Sequence, residues 1–331
     1  MKAAYINHYG KLEQIQFGKQ PKPTIQDDEI LVKVHAVSIN PLDLRMVEGE
    51  FKAVLPVQFP FILGNDLAGV IVEVGSGVHN FKVGDEVFAK TDAQGCFAEY
   101  TSLKETSVAL KPSNLSMTQA AALPLVALTA WQALVEIAQL KRGQKILIHA
   151  GSGGVGSIAI QLAKHLGANV ATTTSAKNAD WVKELGADIV LDYKTTNFAE
   201  VLSGYDVVFD TQGGKTLEHS LQVLKPNGTV VSIAGPPDKN MAQAIGANWI
   251  MSKIIPLLSL SIRAKAKKRG IHYHFLFMQP NGEQLSRIAE LVETQKMVPV
   301  LDHVYDFTEF SQAIQHVDGG HTKGKVVVNI S

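Results

Sequence analysis

Three glycines, Gly151, Gly153 and Gly156, stand at G-x-G-x-x-G spacing between an apolar run, Ile146–Ile148, and a segment with a 3.6-residue apolar period. That segment repeats Val155, Ile158, Ala159, Leu162, Ala163 and Leu166 and closes on Gly167. The pattern predicts a strand, a tight turn and a helix. Such a turn can hold the pyrophosphate of a dinucleotide. The first glycine permits the turn, the second lets backbone approach the anion, and the third lets helix pack on strand. Ser152, Gly154 and Val155 complete the loop, and the unpaired N–H groups of the helix start face the phosphates. The motif alone is weak; between a strand and a helix it is much stronger. NAD-preferring sites add an acid about 20 residues on, for the ribose 2′-OH. Nineteen residues past Gly156 stands Ser175, in ATTTSAKNAD, and no Asp or Glu ends that strand. Ser175 and Lys177 instead offer donors and a positive charge, as a 2′-phosphate requires. NADP(H) is therefore the expected cofactor.

Elements on both sides must position this loop. From Met1 to about Leu123 the chain reads as short strands punctuated by glycine, with alternation at Ile30, Val32 and Val34 and further strands at Val70–Val74 and Glu86–Ala89. Ser116–Gln119 forms a capping box ahead of a helix, Pro124 interrupts that helix, and a second helical run covers Leu125–Gln139. Strand and helix then alternate to about residue 279, with strands at Asn169–Thr174, Ile189–Leu191, Asp206–Asp210, Thr229–Ala234 and His272–Phe277. Alternation of this kind predicts a doubly wound parallel sheet. The fold class is α/β, a Rossmann domain over 124–279 beside a β-rich domain made of 1–123 and 280–331.

Composition sets the class of partner. Lys+Arg and Asp+Glu each number 31 in 331 residues, so net charge gives no reason to expect nucleic acid. Cys96 stands alone, which excludes an intramolecular disulfide framework and a four-cysteine zinc lobe. The start MKAAYINHYG lacks the apolar core of a signal peptide, and a cytoplasmic location is expected. The apolar run Trp249–Ile262 is too short to span a bilayer, and Arg263–Arg269 adds a basic end. The segment 249–269 could touch a membrane surface; the favoured reading is a buried helix whose cationic end projects into solvent.

Seven motifs, taken in order, resemble the medium-chain dehydrogenase/reductase superfamily over essentially the full chain, and within it the zinc-free quinone oxidoreductase branch. They are Asn40-Pro41-Leu42-Asp43, Gly64–Gly69 (GNDLAG), Val83–Val87 (VGDEV), Gly95–Tyr100 (GCFAEY), Thr129–Leu134 (TAWQAL), His149–Gly156 and Thr322–Lys325 (TKGK). The resemblance implies that the β-rich domain is GroES-like and catalytic. It also implies that Tyr193 joins Ser175 and Lys177 around the 2′-phosphate. Thr129 would then face the nicotinamide carboxamide and Ala234-Gly235 end the strand that passes its ribose; Phe275 and Phe277 would lie on the late strand whose backbone abuts the nicotinamide, and Lys325 near the cofactor and cleft. The resemblance further points to a homodimer. The alcohol dehydrogenase branch places a zinc-ligating His where this chain has Asn65, and a Cys ligand near Ser38–Pro41, where there is none. Asp66 alone cannot assemble the about three ligands a catalytic zinc needs, so no metal is expected.

Without a metal, catalysis must rest on holding a hydride donor about 3–3.5 Å from an electrophilic carbon. Quinones and α,β-unsaturated carbonyls suit that arrangement. Asn40 and Asn65 are the expected donors to a substrate oxygen, with Asn40 also suited to making the turn before Pro41. Asp43 could orient backbone or bind Arg45. The loop Glu48–Gly64 lacks the tyrosine of several relatives and offers Phe51, Phe59 and Phe61 as an apolar pocket. The segment around Met251–Leu260 could serve as a lid. Two alternatives stand beside this reading: a trans-2-enoyl thioester reductase and a non-catalytic NADPH-binding sensor or structural protein.

Overall fold

The structure is a computed structural model that describes residues 1–92 and 95–330. It divides into two compact units, Met1–Leu128 with Pro280–Ser331, and Thr129–Gln279. The expected boundary at 123/124 falls short of this division. The helix Pro124–Trp131 straddles it, because the Leu125 N–H donates to Asp66 Oδ1 (2.7 Å) and ties the helix start to the first unit.

The first unit contains β1 (Lys2–Ile6), β2 (Gln16–Lys19), β3 (Glu29–Ile39), β4 (Phe61–Ile62), β5 (Asp66–Val74), β6 (Glu86–Lys90), β7 (Tyr100–Lys104) and β8 (Val108–Leu110). The strand β3 is long because its β-branched run is buried on both sides: it pairs with β5, β7 and the chain's last strand. The core gathers Ile30, Val32, Val34, Leu67 and Ile71 with Phe97 and Phe310. Cys96 is enclosed in that core, where burial pushes its thiol well above the usual range.

The second unit contains β9 (Lys145–Ile148), β10 (Asn169–Thr174), β11 (Ile189–Asp192), β12 (Tyr205–Asp210), β13 (Leu224–Ser232) and β14 (His272–Phe275). They form one sheet in the order β11-β10-β9-β12-β13-β14, every pair parallel. The order reverses between β9 and β12, so the carboxyl end of β9 lies at the switch point, where such sheets bind ligands. The sequence 129–279 is also closed by a reciprocal amide clasp: Gln132 Nε2 donates to Gln279 O (2.7 Å), and the Gln279 N–H donates to Gln132 Oε1 (3.0 Å). After Gln279 the chain returns to the first unit with β15 (Leu301–Asp306) and β16 (Lys325–Asn329), and β16 inserts between β15 and β3.

One expectation fails here. The segment 249–269 is not a buried helix but two short ones, Met251–Leu258 and Leu260–Lys268, parted at Ser259. Only a narrow seam of Ile255, Ser259, Ile262 and Ala266 is buried. Arg263 makes the break: its side chain donates to Pro256 O (2.8 Å) and Ser259 Oγ (3.1 Å), satisfying the end of the first helix. Among the described residues no helix is long and apolar enough to cross a membrane.

Candidate functional site

In the second unit, the glycine loop leaves β9 and enters the helix Gly154–His165. Its three glycines meet different constraints. A methyl on Gly151 would overlap Thr172 Oγ1, and one on Gly156 would overlap the Ala150 carbonyl; both are demanded by the protein's own packing. A methyl on Gly153 would touch only Ala150 O, at 3.4 Å. Gly153 therefore borders an open cradle beside a helix start whose first N–H groups have no intrahelical acceptor. Anionic oxygens fit that space. Thr174 Oγ1 donates to Ser152 Oγ (2.8 Å), which ties the loop to the end of β10.

Neighbouring strand ends carry the remaining candidates. Ser175 follows β10, and Lys177 is exposed on the 3-10 turn Ala176–Asn178. Tyr193 follows β11, is 60 % exposed, and its N–H donates to Thr174 O (3.1 Å). The parallel register Thr174↔Asp192 thus sets Ser175 beside Tyr193. A hydroxyl, an ammonium and a phenol near two adjacent strand ends could hold a phosphate on the adenine ribose; the Asp192 carboxylate that ends β11 is engaged by the Lys194 N–H (3.0 Å). At the end of β13, the Gly235 N–H donates to Ser232 Oγ (2.8 Å), which in turn donates to Asp210 Oδ2 (2.6 Å). Asp210 also accepts from the Gly213 N–H (3.1 Å), so one buried carboxylate shapes the turns after β12 and β13. Ala234 sits in the same turn, its N–H on Ser232 Oγ (3.3 Å). Thr129 is buried in the helix Pro124–Trp131. Phe275 packs against the core of this unit, and Phe277 lies just past β14.

His149, immediately before the loop, bonds Thr173 Oγ1 (3.0 Å) and Ser220 Oγ (2.9 Å) through its two ring nitrogens. Burial lowers its pKa to about 4, so the ring is neutral and serves to fix the β9 terminus.

The first unit holds a different arrangement. Facing positions Ser38↔Asp66 on β3 and β5, and Ile39↔Val326 on β3 and β16, bring four polar groups into one buried cluster. Asp66 Oδ2 accepts from Ser38 Oγ (2.9 Å), Asn40 Nδ2 (2.9 Å) and Lys325 Nζ (3.2 Å). Lys325 also donates to Ile39 O (3.3 Å) and to Asn40 Oδ1. Beside this group, Asp43 Oδ2 accepts the Asn40 N–H (2.7 Å) at the start of the helix Pro41–Glu48, and Asp43 Oδ1 accepts from Asn65 Nδ2 (2.7 Å). Burial raises the Asp43 pKa to about 6, against the two hydrogen bonds that lower it.

These contacts correct several expectations. Asn40 is 1 % exposed, and both ends of its amide are engaged within the cluster, an arrangement that positions the turn before Pro41. Lys325 is buried in the first unit, where it is the counter-ion of Asp66. Arg45 pairs with Glu50 (3.8 Å) and not with Asp43. Phe61 packs on the core, opposite Ile6 across β1 and β4, rather than lining a pocket. Phe59 is 40 % exposed and rests edge-on against Tyr9 (5.0 Å), while Phe51 is half-buried after the helix Pro41–Glu48. Tyr9, which no motif singled out, accepts the Val57 N–H on its hydroxyl (3.0 Å) and so brings a phenol to a loop lacking a tyrosine of its own. Asn65, 7 % exposed, keeps part of its amide uncommitted by the bond to Asp43. Among the described residues no three His, Cys, Asp or Glu side chains gather as a metal-ligand set.

Known proteins match at the level of both units. A model described as "Alcohol dehydrogenase GroES-like domain" matches residues 26–113, and one described as "Zinc-binding dehydrogenase" matches 185–328. The human "NAD(P)H oxidoreductase RTN4IP1, mitochondrial" is 35% identical, over 100% of this chain and 89% of its own length. The "NADPH-dependent alkenal/one oxidoreductase, chloroplastic" of Arabidopsis thaliana is 34% identical over 99% of this chain and 79% of its own. The structure of the quinone oxidoreductase from Coxiella burnetii superposes with a TM-score of 0.88 at 31% identity, covering 100% of this chain and 99% of that one. With the parallel sheet, the glycine loop and the GroES-like unit in place, the chain belongs to the medium-chain dehydrogenase/reductase superfamily, in its quinone oxidoreductase-like branch.

Proposed function

We propose that this chain is an NADPH-dependent, zinc-independent reductase of quinones or α,β-unsaturated carbonyls. The observation that supports the cofactor choice is that Ser175 and Tyr193 follow the paired ends of β10 and β11, with Lys177 exposed on the next turn, where an NAD site would hold an acid. Bound at the glycine loop, NADPH would supply a hydride to an electrophilic carbon. The chain's own contribution is to hold the dinucleotide and the acceptor oxygen. Ser152, Gly154, Val155 and Gly156 would offer their N–H groups to the pyrophosphate. Asn65 is the remaining amide proposed to polarise the acceptor oxygen, its orientation set by Asp43. Zinc independence rests on donor chemistry: Asn65 stands in the histidine's place, and the adjacent carboxylate, Asp66, already has Lys325 as its cation. Relatives named for alkenal/one and quinone reduction support the substrate class.

Steady-state oxidation of NADPH and NADH against quinones, enones, an enoyl-CoA and alcohols, with metal content measured, tests the reading. The expected result is turnover of quinones or enones with NADPH and without bound zinc. The variants Lys177→Ala and Tyr193→Phe should raise KM for NADPH by roughly tenfold or more while leaving NADH unchanged, the signature of a lost phosphate contact. Stoichiometric zinc, or a preference for NADH, would overturn the proposal.

A further inference from the structure

Fifteen large hydrophobic side chains are exposed among the described residues, and six fall within the short stretch 249–260. They are Trp249, Ile250, Ile254, Leu257, Leu258 and Leu260, each between 46% and 78% exposed. The spacing of 250, 254, 257 and 258 puts four of them on one face of the helix Met251–Leu258. That face is distinct from the seam of Ile255, Ser259, Ile262 and Ala266 that anchors both helices, so the segment is apolar on two sides and covered on one. The Arg263 bonds to Pro256 O and Ser259 Oγ hold the outward ridge in place.

Charge says what the ridge meets. The whole chain is neutral, yet residues 239–282 contain no Asp or Glu. Lys253 lies on the ridge helix itself, and Lys267, Lys268 and Arg269 end the next one, all exposed. Two further local cations are already engaged: Lys265 pairs with Glu218 (2.8 Å), and Arg263 holds the break between the helices. An isologous contact between two copies would bring this patch against itself, cations facing cations with no carboxylate from the segment to offset them. A neutral apolar partner would leave the cations unused. An anionic lipid headgroup layer over acyl chains complements both features, with the Trp and Leu side chains at the acyl boundary and the cations among the headgroups.

We propose that the ridge Trp249–Leu260, with the cations Lys253 and Lys267–Arg269, is a surface that docks the protein on an anionic lipid membrane. The contact is peripheral and reversible, and it is weakened by salt, which screens the headgroup attraction. Co-sedimentation of the full chain with phosphatidylcholine vesicles, with and without phosphatidylserine, tests it. Binding is expected only with phosphatidylserine. It should fall roughly tenfold or more in the double variant Leu257→Ser/Leu258→Ser, and as much in Lys267→Ser/Lys268→Ser. Both pairs are solvent-exposed, so melting temperature and NADPH oxidation with a water-soluble acceptor should stay at the parent values. Three results would overturn the proposal. One is vesicle binding that is absent or indifferent to phosphatidylserine. The second is a dimer that Leu257→Ser/Leu258→Ser dissociates while vesicle binding persists, which assigns the ridge to a second copy. The third is altered turnover of soluble acceptor with unchanged vesicle binding, which assigns it to a lid.

Discussion

Asp43 is enclosed in the first unit with its two oxygens on Asn40 N–H and Asn65 Nδ2, and burial lifts its pKa from 3.8 to about 6. The folded chain therefore binds this proton more tightly than the unfolded chain. The stabilisation is fully present below pH 4 and is lost as pH rises through 6, by on the order of 3 kcal/mol. Asp43→Asn retains an acceptor for the Asn40 N–H but no longer titrates. Urea midpoints measured from pH 4 to pH 7 should decline for the parent relative to the variant across that window; parallel profiles would show that Asp43 carries no such proton. The sequence allowed Asp43 to orient backbone or bind Arg45, and the structure selects the first. The partnership with Asn65 was not legible, because the two lie 22 residues apart and only the β3–β5 pairing brings them together.

Glycine spacing told strand from turn and turn from helix, yet it could not tell which glycine serves the fold. Space around each Cα does. Gly156→Ala forces a methyl against the Ala150 carbonyl and should cost about 1–3 kcal/mol of stability, read by denaturant unfolding. Gly153→Ala meets only a 3.4 Å contact and should leave stability within about 1 kcal/mol while weakening dinucleotide binding roughly tenfold. Equal stability losses would mean that the cradle is not open as described. Elements of regular period were read nearly to their ends, as with β10 at Asn169–Thr174. The segment 249–269 was misread for a physical reason: apolar composition on two faces of a helix looks the same as burial when only composition is visible. Phe61 was misassigned in the mirror-image way, since an aromatic in a loop sequence gives no hint that β4 will pair it with Ile6 over the core.

The two units respond to different losses. Lys325 and Asp66 are buried, so Lys325→Met leaves an uncompensated carboxylate and should cost about 3–5 kcal/mol, with Asp66→Asn in the same chain recovering part of it. Hydrogen exchange followed by mass spectrometry should show where the cost lands. Protection is expected to fall in β3, β5 and β16 while β9–β13 keep theirs, because Ser38, Asn40, Asp66 and Lys325 all belong to the first unit. Uniform loss across both units would instead mean a single cooperative transition.

The same bond has a consequence for the order in which the molecule is made. Asp66 and Lys325 are 259 positions apart, and β16 inserts between β15 and β3 only after the whole of Thr129–Gln279 has been synthesised. The unit Thr129–Gln279 is continuous and can close behind the ribosome as soon as its own strands are out. The first unit must wait, its best-buried carboxylate without a cation and the β3 edge open. The residues translated before Thr129–Gln279 thus become native after it, and chaperone dependence should concentrate there.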